Sequence, residues 1–171
     1  MNKAFILLII SPLIAFTQIN MTEDEQKMRD LIFQLLDSRN PRNLLEENQW
    51  STQTLDDFIS EDNNRYYSYT FEKYYPNQSF SSLTINDYSS TSYQNKLTLI
   101  TDEEFYKKFF RFIMSSGYKQ KDKLLGYNEI KTLFFKNEIE ILFHEKLNKS
   151  YSIIIENIVD KNNRKEVYLH H

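Results

Sequence analysis

Two glutamates in the second half of the chain have a spacing that suits acid–base chemistry. Glu138 and Glu140 are two residues apart in a run where apolar and polar residues alternate, which predicts both on one face of a β-strand. Side chains placed in this way lie about 7 Å apart, near the separation of the two carboxylates in glycosidases. Solvated strands carry such glutamate pairs routinely, so an ordinary polar strand face is the favoured interpretation. An envelope hydrolase with carboxylate chemistry is the alternative.

The three histidines are not arranged for catalysis or metal binding. His144 alternates with Ile141 and Phe143, so it is predicted on the solvated polar face of its strand. Glu145, the next residue, points to the opposite face, so the two do not form a ready dyad. His170 and His171 are predicted to form a terminal tail. Because a metal site needs several convergent ligands, the sequence predicts neither a metal site nor a cofactor.

Composition excludes further classes of chemistry. The chain has no cysteine, which excludes thiolate catalysis, disulfides and cysteine-ligated metals, and two glycines, too few for a phosphate-binding loop. It has no G-x-S-x-G motif that would present a serine nucleophile. The net charge of −3, with both signs interspersed, disfavours nucleic acid and anionic membranes as partners. A protein without catalytic activity is therefore favoured.

The segment 65–93 is unusual because it holds more than half of the chain's 12 tyrosines and few aliphatic residues. Tyrosine buries a large area at low entropy cost while its hydroxyl tolerates water, so such surfaces bind proteins, and the rings also stack on sugars. The competing interpretation is that these rings pack within an ordinary sheet. The predicted binding residues, for a protein or a glycan, are Tyr66, Tyr67, Tyr69, Tyr74, Tyr75, Tyr88 and Tyr93.

The elements that must position these residues include an antiparallel meander between Lys131 and Ile158. Period-two alternation defines its last two strands, through Ile139, Ile141 and Phe143 and then Tyr151, Ile153 and Ile155. Lys136–Asn137 and Leu147–Ser150 are predicted turns. Further strands are predicted within 66–71, 79–85, 96–100 and 165–169.

Two helices are predicted from capping boxes followed by apolar faces. Thr22 and Glu25 open the first, which ends near Ser38 before Asn40–Pro41. Its buried face is Met28, Leu31, Ile32, Leu35 and Leu36. Thr101 and Glu104 open the second, which presents Phe105, Phe109, Phe112 and Ile113 to the meander and ends at Gly117. A short helix is predicted at Thr54–Ser60 and a basic turn at Lys119–Lys123.

The first 20 residues have the pattern of a secretory signal peptide. Lys3 precedes an apolar run from Ala4 to Phe16, which is too short to span a bilayer comfortably. Cleavage is predicted near Thr17–Gln18. An uncleaved anchor, and translation that begins at Met21, are the two alternatives.

These observations predict one α+β domain over residues 21–171, secreted or periplasmic, with no stable membrane span after cleavage. A capped N-terminal helix leads into a tyrosine-rich β region, and a second helix packs on the C-terminal antiparallel meander. The favoured function is a non-enzymatic binding protein of the cell envelope, of the inhibitor or immunity type. The sequence specifies neither the ligand nor the oligomeric state.

Overall fold

The computed structural model describes residues 19–59, 65–74, 80–87 and 95–157 of the chain. In chain order these residues form α1 (Glu23–Leu36), α2 (Pro41–Glu47), β1 (Ser51–Ile59), β2 (Arg65–Tyr74), β3 (Phe80–Asp87), β4 (Lys96–Thr101), α3 (Glu103–Ser115), β5 (Lys119–Leu125), β6 (Glu129–Lys136), β7 (Ile139–Lys146) and β8 (Tyr151–Asn157). The predicted α+β class is confirmed, with more strand than helix. Residues 1–18 of the predicted leader and the predicted strand Lys165–Leu169 lie outside the described residues.

All eight strands form one antiparallel sheet in the order β1-β2-β3-β4-β8-β7-β6-β5. Every strand pairs with its neighbours in sequence except at the centre of the sheet, where β4 pairs with β8. The sheet therefore consists of two four-stranded meanders, and the predicted C-terminal meander is part of one of them. No helix in the described parts of the chain is long and apolar enough to cross a membrane.

The two halves of the fold repeat the same topology without repeating the sequence. Each half begins with helix and continues into a four-stranded meander whose last strand lies at the centre, where Leu99 is opposite Ile153. The first strand of each meander lies at a sheet edge, and its pairing shifts at its third residue, Gln53 in β1 and Lys121 in β5. Bulges of this kind twist an edge away from unwanted pairing.

One face of the sheet packs against the helices and forms an aromatic-rich core; we call it the helix face. Directly opposite residues on successive strands form two buried rows across it. The first row is Phe71, Leu83, Leu99, Ile153 and Phe143. The second row is Ile85, Leu97, Ile155, Ile141 and Phe134. Side chains alternate between the two faces along each strand, so the residue that separates the two rows on each strand lies on the opposite face of the sheet.

The helices α1 and α3 contact each other through aromatic rings and one ion pair. Phe109 is fully buried, with its ring centroid 6.1 Å from that of Phe33 in α1 and 6.0 Å from that of Phe143 in β7. Lys108 in α3 donates to Glu25 in α1 at 2.9 Å. Phe109 therefore lies where both helices and the sheet meet.

The helix ends agree only partly with the sequence. The Thr22–Glu25 capping box is confirmed, as is the buried face of α1. Gly117 has the expected positive φ, at 80°. The capping box at Thr101 is wrong, because Thr101 still belongs to β4 and Asp102 caps α3 by accepting from the Phe105 backbone N–H at 2.8 Å.

Two predicted local structures are wrong because strand pairing overrides them. The helix predicted at Thr54–Ser60 is wrong over residues 54–59, since residues 51–59 form β1, which pairs with β2; Ser60 lies outside the described residues. Lys119–Lys123 is not a turn, since it forms most of β5, which pairs with β6. All seven residues of β5 are exposed, so burial imposed no alternation that the sequence could have shown.

Candidate functional site

The predicted tyrosine surface lies partly within the described residues. Tyr66, Tyr67, Tyr69 and Tyr74 belong to β2, whereas Tyr75, Tyr88 and Tyr93 lie outside the described residues. Tyr69 is half-buried and packs against the core, with its ring centroid 6.1 Å from that of Phe71. Tyr74 is 72% exposed. Of the two described tyrosine side chains in this segment, one therefore supports the sheet and one faces solvent.

The two candidate catalytic glutamates do not share a strand face. Glu138 lies in the two-residue turn with Asn137, whose φ is 54°, and β7 begins only at Ile139. Glu140 lies in β7, directly opposite Glu156 of β8. The predicted Glu138–Glu140 pair is wrong because the hairpin turn lies one residue later than the sequence indicates.

Glu140 and Glu156 form a carboxylate pair that the sequence did not reveal. Both residues are buried, and directly opposite side chains in a sheet have Cβ atoms about 4.5–5.5 Å apart. Lys121 Nζ lies 3.0 Å from Glu140 Oε1, and Lys96 Nζ lies 3.9 Å from Glu156 Oε2. The two glutamates therefore take part in two ion pairs, placed side by side on β7 and β8.

His144 is held by a carboxylate from the neighbouring strand. Its side chain is 14% exposed, and its Nε2 lies 2.7 Å from Glu129 Oε2 in β6. Lys131, which is directly opposite His144, donates to Glu129 Oε1 at 2.7 Å. The prediction of a solvated histidine is wrong, because the partner depends on the β6–β7 register rather than on a residue nearby in sequence.

Glu129, His144 and Ser152 lie in order across β6, β7 and β8, which raises the question of a catalytic triad. Ser152 is directly opposite His144, but among the described residues no hydrogen bond joins the two side chains. A serine nucleophile also requires donors for the oxyanion, and the N–H groups of these inner strands are used in sheet pairing. The described residues also contain no group of three or more potential metal ligands.

Glu129 gives the protein a testable acid sensitivity. Its hydrogen bond from Lys131, followed by that with His144, lowers the pKa of this carboxyl below its ordinary value of 4.5. A carboxyl group whose pKa is lower in the folded than in the unfolded protein stabilises the fold at pH values above its unfolded pKa. This contribution to the free energy of unfolding is lost as the pH falls through the pKa of the group in the folded protein. Glu129→Gln should therefore lower the urea midpoint at neutral pH, and its difference from wild type should shrink below pH 4.5. Glu138→Gln, in the exposed turn, is the control and should leave the midpoint unchanged; a Glu129→Gln difference that persists into acid would contradict the assignment.

One end of the sheet exposes a cluster of large apolar side chains, which we call the tip cluster. It consists of Leu124 (59% exposed), Leu125 (72%), Tyr127 (96%) and Leu147 (71%). The Leu147 backbone N–H donates to the Asn128 carbonyl at 2.9 Å, which joins the β7–β8 turn to the β5–β6 turn. These four residues from two hairpins therefore lie at the same end of the sheet. Leu124 and Leu125 are successive residues of β5, so their side chains cover the two opposite faces of this end.

Lysines flank the tip cluster. Lys123, Lys146 and Lys149 are exposed and make no ion pair with any residue that the structure describes. By contrast, the ion pairs of the described residues join carboxylates to other lysines of the chain: Lys27, Lys96, Lys107, Lys108, Lys121 and Lys131. The apolar cluster is therefore bordered by positive charge, and of the three lysines only Lys149 is shown to attract a carboxylate of the described residues, that of Glu103.

Comparisons with known proteins do not connect this chain to a described function. No protein-family model matches the chain, and no curated protein and no solved structure matches it. The tip cluster was missed from sequence because Leu124 and Leu125 follow a basic run, and Leu147 is brought near them only by the two hairpins.

Proposed function

We propose that this chain is a non-enzymatic binding protein that recognises a partner protein through the tip cluster. The observation that carries the proposal is the exposure of Leu124, Leu125, Tyr127 and Leu147 at one end of the sheet. Single exposed apolar residues are ordinary, but apolar side chains grouped on a surface and bordered by polar ones mark interaction sites. An apolar centre with a charged rim is also the usual anatomy of a protein interface.

The partner favoured by this surface is a protein rather than a bilayer. The cluster includes the last two residues of β5, an edge strand whose outward backbone groups have no neighbouring strand among the residues that the structure describes. Insertion of such an edge into hydrocarbon would leave N–H and C=O groups without hydrogen bonds, which costs several kcal/mol for each group. A protein surface can cover the same side chains and also supply hydrogen-bonding groups.

Two parts of the proposal rest on sequence. An inhibitor or immunity role in the envelope suits a small acidic protein with no catalytic residue to name, and Lys3 with the apolar run that follows supports export. A cut near Thr17–Gln18 would keep Ile19 and Met21, both of which pack on the core. The intact mass of protein from the native host tests the cut, and a mass that retains residues 1–17 would contradict it.

The test of binding compares three variants in capture experiments with native envelope extract. Leu124→Ser/Leu125→Ser/Tyr127→Ser removes most of the tip cluster. Leu55→Ser removes a leucine that is 53% exposed on the other edge strand, and Tyr74→Ala removes the exposed tyrosine of β2. Loss of a central interface anchor costs about 2 kcal/mol or more, so we expect the tip variant to weaken binding of the captured partner at least roughly 30-fold.

Stability is measured on the same variants, since exposed substitutions normally change the free energy of unfolding by less than about 0.5 kcal/mol. Leu55→Ser should capture the partner as wild type does. A tip variant that retains the partner would refute the proposal. Loss of the partner by Tyr74→Ala alone would move the binding surface to the tyrosine segment predicted from sequence.

A further inference from the structure

We propose that the tip recognises an extended, acidic segment of its partner, which adds as a strand to the Leu124–Leu125 end of β5. This inference rests on the proposed function and specifies its mode of binding and the chemistry of the ligand. Three features support it: the outward backbone groups of β5, the local protection of the rest of that edge, and the flanking lysines.

The direction of the backbone groups follows from one hydrogen bond. The Gly126 N–H donates to the Glu129 carbonyl at 2.9 Å, so these two residues are a hydrogen-bonded pair of the β5–β6 ladder. Hydrogen-bonded and non-hydrogen-bonded pairs alternate in antiparallel sheets. Leu125, opposite Ile130, is therefore in a non-hydrogen-bonded pair, and its N–H and C=O point away from β6, towards the edge of the described sheet.

The preceding part of β5 is protected against strand addition. The Lys123 N–H, which the same alternation directs outward, is satisfied by Asp122 Oδ1 at 2.7 Å. The bulge at Lys121 interrupts the ladder just before it. Proteins use bulges and charged residues to keep edges from pairing. Beyond Lys123 the backbone groups of Leu125 point outward again, so an added strand has a short and defined place to pair.

The lysines beside the tip cluster favour a ligand strand that carries negative charge. Lys123 precedes the tip cluster, and Lys146 and Lys149 flank Leu147. Because Lys123 and Lys146 make no ion pair within the described residues, a carboxylate on the ligand gains a partner at each without displacing an existing one. Lys149 adds positive charge beside them, although it also attracts the Glu103 carboxylate of α3. Apolar side chains at alternate positions of the ligand strand would contact Leu125 or Tyr127. In other strand-addition sites, too, contacts with alternate side chains of the ligand give specificity.

The experiment selects short random peptides displayed on phage against the wild-type protein, with counter-selection on the triple tip variant. We expect the selected peptides to be rich in Asp and Glu with apolar residues at every second position. N-methylation of alternate backbone amides in a selected peptide should weaken its binding at least about tenfold, since each lost edge hydrogen bond removes roughly 1 kcal/mol. Lys123→Glu/Lys146→Glu/Lys149→Glu should weaken it by a similar factor, whereas Lys27→Glu, remote on α1, should not.

The outcomes separate this inference from the proposed function. Neutral or basic peptides, or binding that is insensitive to N-methylation, would overturn strand addition by an acidic segment, while partner capture through the tip could still stand. If phosphatidylglycerol vesicles bind the wild type and not the tip variant, and no acidic peptide is selected, the ligand is a membrane surface and the inference is wrong. If the tip variant still captures the native partner, the proposed function fails as well.

Discussion

Replacing Leu99 by lysine is expected to prevent stable folding. Leu99 is 1% exposed and lies at the centre of the sheet, opposite Leu83 on one side and Ile153 on the other. A lysine there would bury an unpaired ammonium between the two meanders, at a cost of about 4 kcal/mol or more, against a total stability of about 5–15 kcal/mol. Circular dichroism with urea denaturation measures the loss.

The adjacent residue provides a matched control for the sheet register. Thr98 lies on the opposite face, directly between Thr84 and Ile154, and is only partly buried. Thr98→Lys should keep the fold with a loss of about 1 kcal/mol or less, because its ammonium reaches solvent. If Leu99→Lys and Thr98→Lys were equally well tolerated, the β4–β8 pairing that joins the two halves would be wrong.

Replacing Phe109 by alanine should have the second largest effect. Its ring is fully buried against Phe33 of α1, Phe105 of its own helix and Phe143 of β7, so truncation leaves a cavity between three elements. Such a change costs about 3–5 kcal/mol, and each kcal/mol lowers the melting temperature by roughly 2–4 °C in a chain of this size. Calorimetry or a thermal melt gives the value.

Met114 supplies the comparison for Phe109 on the same helix. It is 57% exposed, so Met114→Ala should change the free energy of unfolding by less than about 0.5 kcal/mol. A similar melting temperature for Phe109→Ala and Met114→Ala would show that α3 does not present its Phe109 side to the sheet.

The features that were predictable from sequence are those set by burial on one face. The five buried residues of α1, and the inward positions of β7 and β8, follow directly from their spacing. The spacing of apolar residues along an element and the residues that cap a helix are local properties, so a single sequence is enough to predict them. The class of the fold followed from these elements.

The features that were not predictable depend on pairing between distant residues. The joining of β4 to β8 has no local signal, and it decides that the two meanders form one sheet. The same is true of Asn95, whose buried side-chain amide donates to the Leu35 and Ser38 carbonyls at 2.8 Å and satisfies the end of α1. β5 is exposed throughout, so its sequence reflects solubility and edge protection rather than a buried face.

The candidate site shows the same division. The carboxylate opposite Glu140 belongs to β8 and the partner of His144 belongs to β6, and neither could be found without the register. The tyrosine segment was found from composition, yet its described Tyr69 packs against the core. The tip cluster combines residues from two hairpins, so composition and period gave no indication of it.

The central claim is that the partner covers the tip of the β5–β6 and β7–β8 hairpins. Hydrogen–deuterium exchange, measured with and without the captured partner, tests it most directly because it reports which backbone amides become protected. We expect protection confined to residues 123–128 and 146–150, with the amide of Leu125 among those slowed. Unchanged exchange at the tip, with protection in β2 around Tyr74 instead, would contradict the claim.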